Sequence, residues 1–349
     1  MTSEDNPFII GEMKVLLVSP IGFAITPQTR YAGIETLVWN YASELTKNHQ
    51  VSVFGHSDNI FPEGVTLYGY KPEENEDIYQ QSELKCYSMY SSLIREFDVI
   101  HDFSHQHLIA RYNPSMPTLN IFWHWPVVAQ YPKAPYNIIA PSKWAAREFT
   151  RVYRHQARYQ PTIALDLNTY KVNPNRHRND RFLSLGMLTP RKGHLEALHI
   201  CKKAGVPLDI VGKGNNDEYQ EQVEKLCDGR NYRYLGEVTE EEKVKLYQTN
   251  KALIFVNQEP EVTSHKVQEA MLCGQPVIVS NIGALPEIIT HNVNGFLCNN
   301  EGQFLQAIKE VDRLESMKVY EFFKSQYSIE DVIAQVIPLY EQVSKGLRW

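Results

Sequence analysis

Long apolar runs are absent from this 349-residue chain. No stretch approaches the ~18–20 consecutive apolar residues of a membrane-crossing helix. Cysteine is scarce: five, at positions 86, 201, 227, 273 and 298, odd in number and without the spacing of a zinc site or a disulfide framework. Basic charge is not in excess, since 35 Lys and Arg stand against 41 Asp and Glu. The net charge of −6 argues against a general nucleic-acid binder, and no nucleic-acid partner is expected. Low-complexity tracts and repeats of solenoid period are also missing. The first residues, Met-Thr-Ser-Glu-Asp, are acidic where a secretory leader would be basic. These absences point to a cytoplasmic protein.

What is present is ordinary globular composition, 43% apolar and 22% charged, at a length that favours two domains. From Lys14 the pattern predicts a strand at 15–18, a loop at 19–33, a helix at 34–47 and a strand at 51–55, with later strands at 99–101 and 138–140. A second series starts at residue 182. Strands at 182–186, 208–211, 233–235 and 252–256 alternate with helices at 194–204, 218–228 and 240–249. The expectation is α/β: two open, doubly wound parallel sheets, each wrapped by helices, facing a central cleft. The boundaries read as an N-terminal domain at 1–167, a polar linker at 168–181, a second domain at 182–325 and a terminal helix at 326–349 packing back toward the first. Ligands of such folds sit at the carboxyl ends of the strands, here in the cleft.

Three segments of the second half should converge there. Gly186-Met-Leu-Thr-Pro-Arg-Lys-Gly193 is a strand end, a loop and a helix start, with Lys192 aimed at the strand edge. Ile210-Val-Gly-Lys-Gly214 runs a strand into a glycine turn, where backbone at Gly212 can approach a flat ring. Glu261-Val-Thr-Ser-His-Lys-Val-Gln-Glu269 sets two carboxylates around a helix start, a natural phosphate seat. The plain alternatives are a solvated lysine at 192, which the helix dipole disfavours, and an exposed helical glutamate at 269.

The order Gly-x-Leu-x-x-x-Lys-Gly, Val-Gly-x-Gly, Glu-x7-Glu-Ala-Met-x-Cys-Gly-x-Pro-Val-Ile, then Gly283-Ala-Leu-Pro-Glu287 and Asn294-Gly295-Phe-Leu resembles glycosyltransferase family 4. The resemblance is strong over 182–298 and looser before. It implies the GT-B fold, two Rossmann-like domains, and retaining transfer of a hexose from a nucleotide sugar, most often a UDP-sugar. By resemblance Lys192 meets the donor diphosphate, Glu269 the ribose and Glu261 the donor sugar. Glu259 lies close by, but the eight-residue step to Glu269 selects Glu261. In the first half Tyr31-Ala-Gly-Ile-Glu35 resembles the family's Tyr-Gly-Gly-x-Glu loop and brings Gly33 to the substrate. Ile121-Phe-Trp-His-Trp-Pro126 resembles the strand end whose histidine faces the donor sugar, here His124, and Ile138-Ile-Ala-Pro-Ser142 matches a strand-to-serine turn.

The implied catalytic set is His124, Glu261 and Lys192. The implied donor-binding set is Gly33, Lys192, Arg191, Gly212, Thr263, Ser264, His265, Lys266 and Glu269. No Asp-x-Asp occurs, so no metal-bridged diphosphate is expected and no cofactor is required beyond the nucleotide-sugar co-substrate. His101, His105 and His107 lack the cysteine or carboxylate that completes a familiar zinc spacing. Three departures stand out. Met187 replaces the arginine usual after the first glycine of the diphosphate loop, Val262-Thr263-Ser264 replaces Pro-Phe-Gly, and Ala32 replaces a glycine. They favour an alternative, a catalytically impaired homologue acting as a nucleotide-sugar-binding or partner subunit. The acceptor side is open to a carbohydrate, lipid-linked or small-molecule hydroxyl. Tyr31, Trp39, Trp123, Trp125 and Tyr131 suit sugar stacking, a core or a lipid-facing patch. Lys143, Arg147, Arg151, Arg154 and Arg158, spaced by four, four, three and four, would form one helical stripe able to touch an anionic membrane, or a merely solvated face.

Overall fold

The computed structural model describes residues 11–26, 33–124, 135–175, 177–214 and 217–349. Short runs of β-branched and other apolar residues become strands buried on both faces, as parallel sheets covered by helices require. The first sheet holds β1 (Lys14–Val18), β2 (Gln50–His56), β3 (Val65–Tyr70), β4 (Val99–Asp102), β5 (Thr118–Ile121), β6 (Ile138–Ala140) and β7 (Ala157–Tyr159). Their order is β3-β2-β1-β4-β5-β6-β7, every pairing parallel. The second holds β8 (Phe182–Leu185), β9 (Leu208–Val211), β10 (Tyr232–Tyr234), β11 (Ala252–Phe255), β12 (Val277–Ser280) and β13 (Gly295–Cys298). It is also all parallel, in the order β10-β9-β8-β11-β12-β13. Each sheet reverses its winding once, at β1/β4 and at β8/β11, and the loops leaving those strands open the crevice where ligands bind in such folds.

The expected strands and helices recur with bounds moved by one or two residues. The terminal segment differs: the helices are Ser316–Tyr327 and Ile329–Ser344, divided at Ser328, whose hydroxyl accepts from Asp331 N–H at 3.0 Å and starts the second. The Ile329–Ser344 helix lies against the Gly33–Leu45 helix and against β4 and β5. Tyr340 reaches His101 Nδ1 at 2.8 Å.

The polar stretch at 168–181 is irregular but firmly anchored. The Arg178 guanidinium gathers the carbonyls of Tyr247, Asn250 and Cys273 at 2.6, 2.9 and 3.0 Å. These are orphan acceptors at the ends of the helices Glu240–Thr249 and His265–Leu272.

The five-residue basic stripe does not form. Its helix is Lys143–Tyr153, ending at Arg154, whose left-handed backbone (φ 56°) turns the chain back. Arg158 then lies in β7 with its guanidinium 4.0 Å from the Trp349 ring, and Arg151 pairs with Glu148 at 2.7 Å. Only Lys143, Arg147 and Arg151 share the helix. No described helix is long and apolar enough to cross a membrane.

Candidate active site

At the mouth of the second sheet, β8 ends in Gly186 (φ 143°) and β9 in Gly212 (φ 136°). A Cβ on Gly212 would stand 1.9 Å from the Gly186 carbonyl oxygen. The small residue at 212 is therefore demanded by the neighbouring strand exit. Gly193 (φ 65°) presses the 186–193 loop onto β11, since a Cβ there would meet the Val256 carbonyl at 1.8 Å. That contact directs Lys192 across the strand ends to an ion pair with Glu261. Glu261 is held from behind. A Cβ on Gly283 would come within 2.7 Å of its backbone, and its carbonyl accepts from Ala284 N–H at 3.0 Å. Glu259 is exposed and takes no part in that pair.

The His265–Leu272 helix starts beside this pair. Ser264 occupies the cap position without bonding the first turn. Its hydroxyl and that of Thr263 are buried with no partner among the described residues. Lys266 is 9% exposed. Its ammonium sits 3.3 Å from the Phe255 ring centroid and next to the Cα of Gly186. Arg191, exposed, joins Lys192 and Lys266 in the field around Glu261. Burial would raise the Glu261 carboxyl, but the charges of Lys266, Lys192 and Arg191 overcome it and hold it below the usual value. Burial pushes His265 down to about 4 and His194 to about 3, so both are neutral at physiological pH.

Glu269 is already engaged. Its carboxylate accepts from Tyr247 at 2.9 Å, Tyr170 at 3.2 Å and Lys243 at 3.1 Å, while Tyr170 and Lys243 also reach Glu240. Tyr170, Lys243 and Tyr247 were not foreseen. Tyr170 lies in a segment with no periodicity, and the other two look like any face of a helix until Glu269 is placed beside them.

From the first half, Gly33 opens the Gly33–Leu45 helix with its Cα facing His265, a Cβ there lying 3.4 Å from Nδ1. Trp123 meets the same imidazole edge-on at 5.8 Å. His124, at the rim, stacks on His105 with Nε2 3.0 Å from its Nδ1. Desolvation in the cleft, then Arg191, His107 and Lys192, lower the pKa of His124, and burial takes His105 to about 3. Glu83 holds this corner by accepting the N–H groups of His105 and Gln106 at 2.9 and 2.8 Å. The three sequence histidines diverge: His101 bonds Tyr340, His105 meets His124, and His107 lies beside Asp102 and stacks on Phe122. Trp39 donates to the Ile60 carbonyl at 2.9 Å. Tyr31, Ala32, Trp125, Pro126 and Tyr131 lie outside the described residues. The halves are joined at one wall, where Ser142 donates to the Val262 carbonyl at 2.7 Å and Glu287 accepts the N–H groups of Lys143 and Trp144 at 2.7 and 2.5 Å.

Known proteins resemble this chain in sequence and fold. Residues 168–325 match the family described as glycosyl transferases group 1. Over 186 residues the chain is 26% identical to an uncharacterized 41.2 kDa protein in the cps region of Klebsiella pneumoniae, covering 49% of each. It is 30% identical over 153 residues to the amylovoran biosynthesis glycosyltransferase AmsK of Erwinia amylovora, covering 40% of this chain and 37% of that one. The chain thus spans about half the length, or less, of these curated relatives. A glycosyltransferase involved in avilamycin A biosynthesis superposes with a TM-score of 0.74 at 20% identity, over 97% of this chain and 99% of that one. The HepE protein of Anabaena, solved with UDP-glucose, superposes at 0.69 and 16% identity, over 96% and 99%. Residues 168–325 thus resemble the glycosyl transferases group 1 family, and nearly the whole chain has the GT-B fold of these structures.

Proposed function

We propose that this protein transfers a hexose from a nucleotide sugar, a UDP-sugar by preference, to an acceptor hydroxyl with retention of anomeric configuration and without a metal ion. One observation carries the reading. Two cations, Lys192 and Arg191, and the buried amine of Lys266 surround the Glu261 carboxylate, where two strand exits meet a helix N-terminus whose hydroxyls have no partner among the described residues. That surplus of positive charge suits a departing nucleoside diphosphate.

In this scheme Lys192 and Arg191 take the diphosphate together with the first turn at Thr263–Lys266. Glu269 takes the ribose hydroxyls in exchange for one of its present donors. Glu261 then turns to the hexose, and Gly33 lets backbone approach it. His124, neutral near pH 7, hydrogen-bonds the sugar from the opposite wall. Among the described residues no carboxylate is set as a nucleophile on the far face, so in this scheme the acceptor attacks from the side of departure and the leaving phosphate takes its proton. The acceptor is a carbohydrate or another hydroxyl compound, free or lipid-linked.

The test is a thermal-shift panel of UDP, GDP, ADP and CMP with their sugars, in EDTA and in magnesium, followed by NMR of the product anomer. A shift in EDTA for one nucleotide, larger with one sugar, supports the reading. Absence of any shift, or an inverted anomer, overturns it.

A further inference from the structure

Lys266 is the least expected side chain of the site. It is nine-tenths buried, and neither an ion pair nor a hydrogen bond reaches its ammonium among the described residues. A buried cation without a partner is costly, and the usual response is loss of the proton. The groups facing it come from every wall. Lys192 and Arg191 oppose its charge, and Glu261 and Glu269 favour it. Yet Glu261 is bound to Lys192, and Glu269 to Lys243 and two tyrosines. His194 and His265 are neutral. Among the described residues nothing anionic is left over for Lys266, and it lies next to the Gly186 turn, against the same ring that Lys192 faces at 5.9 Å.

We propose that Lys266 takes up a proton when a nucleoside diphosphate enters the cleft, so that the ligand itself creates the third cation that holds it. The inference rests on the donor site described above and adds a protonation step to it. The empty cleft then avoids three crowded cations, in keeping with the desolvation and the neighbouring charges that push the Lys266 pKa well down. An arriving diphosphate supplies the missing counter-charge, and the ammonium gains a charge-assisted bond to it. The proton comes from solvent and returns there when the diphosphate leaves, so nothing is consumed.

Titration calorimetry of the full chain with UDP, with GDP and ADP in parallel, tests this in buffers of differing ionisation enthalpy between pH 7.5 and 9.5. In that range the terminal phosphate, ionising near about 6, is fully charged. Net uptake approaching one proton per UDP is expected, with affinity falling up to tenfold per pH unit. Lys266→Met should bind UDP roughly tenfold or more weakly and take up no proton. UDP binding without proton uptake in the wild type, or uptake retained in Lys266→Met, overturns the inference and leaves the donor site standing. If no nucleoside diphosphate binds, the donor reading itself falls and this inference with it.

Discussion

Replacing Glu261 with glutamine removes the carboxylate that pairs with Lys192 and faces Arg191 and Lys266, while keeping its volume. The Lys192 and Glu261 side chains are 17% and 15% exposed, so the pair is largely withdrawn from water. Breaking such a pair by removing one charge costs ~3–5 kcal/mol when fully buried. Residual exposure and the hydrogen-bonding amide reduce this to about 2–3 kcal/mol. For a domain of this size that is a fall in Tm of roughly 5–10 °C. The same change removes the carboxylate that competes with a diphosphate for Lys192, so UDP should protect the variant more strongly than the wild type. A tenfold gain in affinity adds about 1.4 kcal/mol to the ~2.7 kcal/mol expected at one hundred times Kd. Scanning calorimetry with and without UDP reads both effects, and a coupled assay should show transfer reduced. An unchanged Tm with an unchanged UDP shift would refute the charge argument.

Lys192→Ala should lower kcat/KM by about 10–100-fold through loss of ~1.5–3 kcal/mol at the leaving diphosphate, and unaltered steady-state kinetics would sink that role. Gly212→Ala forces a Cβ to 1.9 Å from the Gly186 oxygen at a φ of 136°. A loss of roughly 2–4 kcal/mol in urea unfolding is expected, together with a weakened UDP shift; wild-type stability would contradict the close approach. Burial, opposed by the N–H groups of Glu35 and Phe23, raises the Glu35 carboxyl from 4.5 to about 7. The folded state then holds a proton that the unfolded state has released, so this stability is fully present below pH 4.5 and lost as pH rises through 7. The shift corresponds to roughly 3 kcal/mol. Glu35→Gln should flatten the fall in unfolding free energy between pH 5 and 8, with Glu83, also raised by burial, leaving a remainder. An identical slope in the variant would refute it.

Much was legible along the chain. Apolar runs such as Leu208–Val211 and Val277–Ser280 are both strand and core, so composition alone marks them. The strand-exit motifs were readable because their parts are close in sequence: Gly193 stands just before its helix, and Glu261 eight residues ahead of Glu269. The basic row at 143–158 misled because its spacing continues past Tyr153, whereas one left-handed residue ended the helix.

The sequence by itself determined two parallel α/β halves and the motifs at their strand ends. Those follow from local periodicity and from glycines whose backbone no other residue tolerates. Only the tertiary structure decided how the charges are shared: Lys192 with Glu261, Lys243 and two tyrosines with Glu269, and Lys266 with none among the described residues. Such pairings join residues 22 to 99 positions apart. They depend on angstrom-scale approach in a low-dielectric cleft, which periodicity along a chain does not encode.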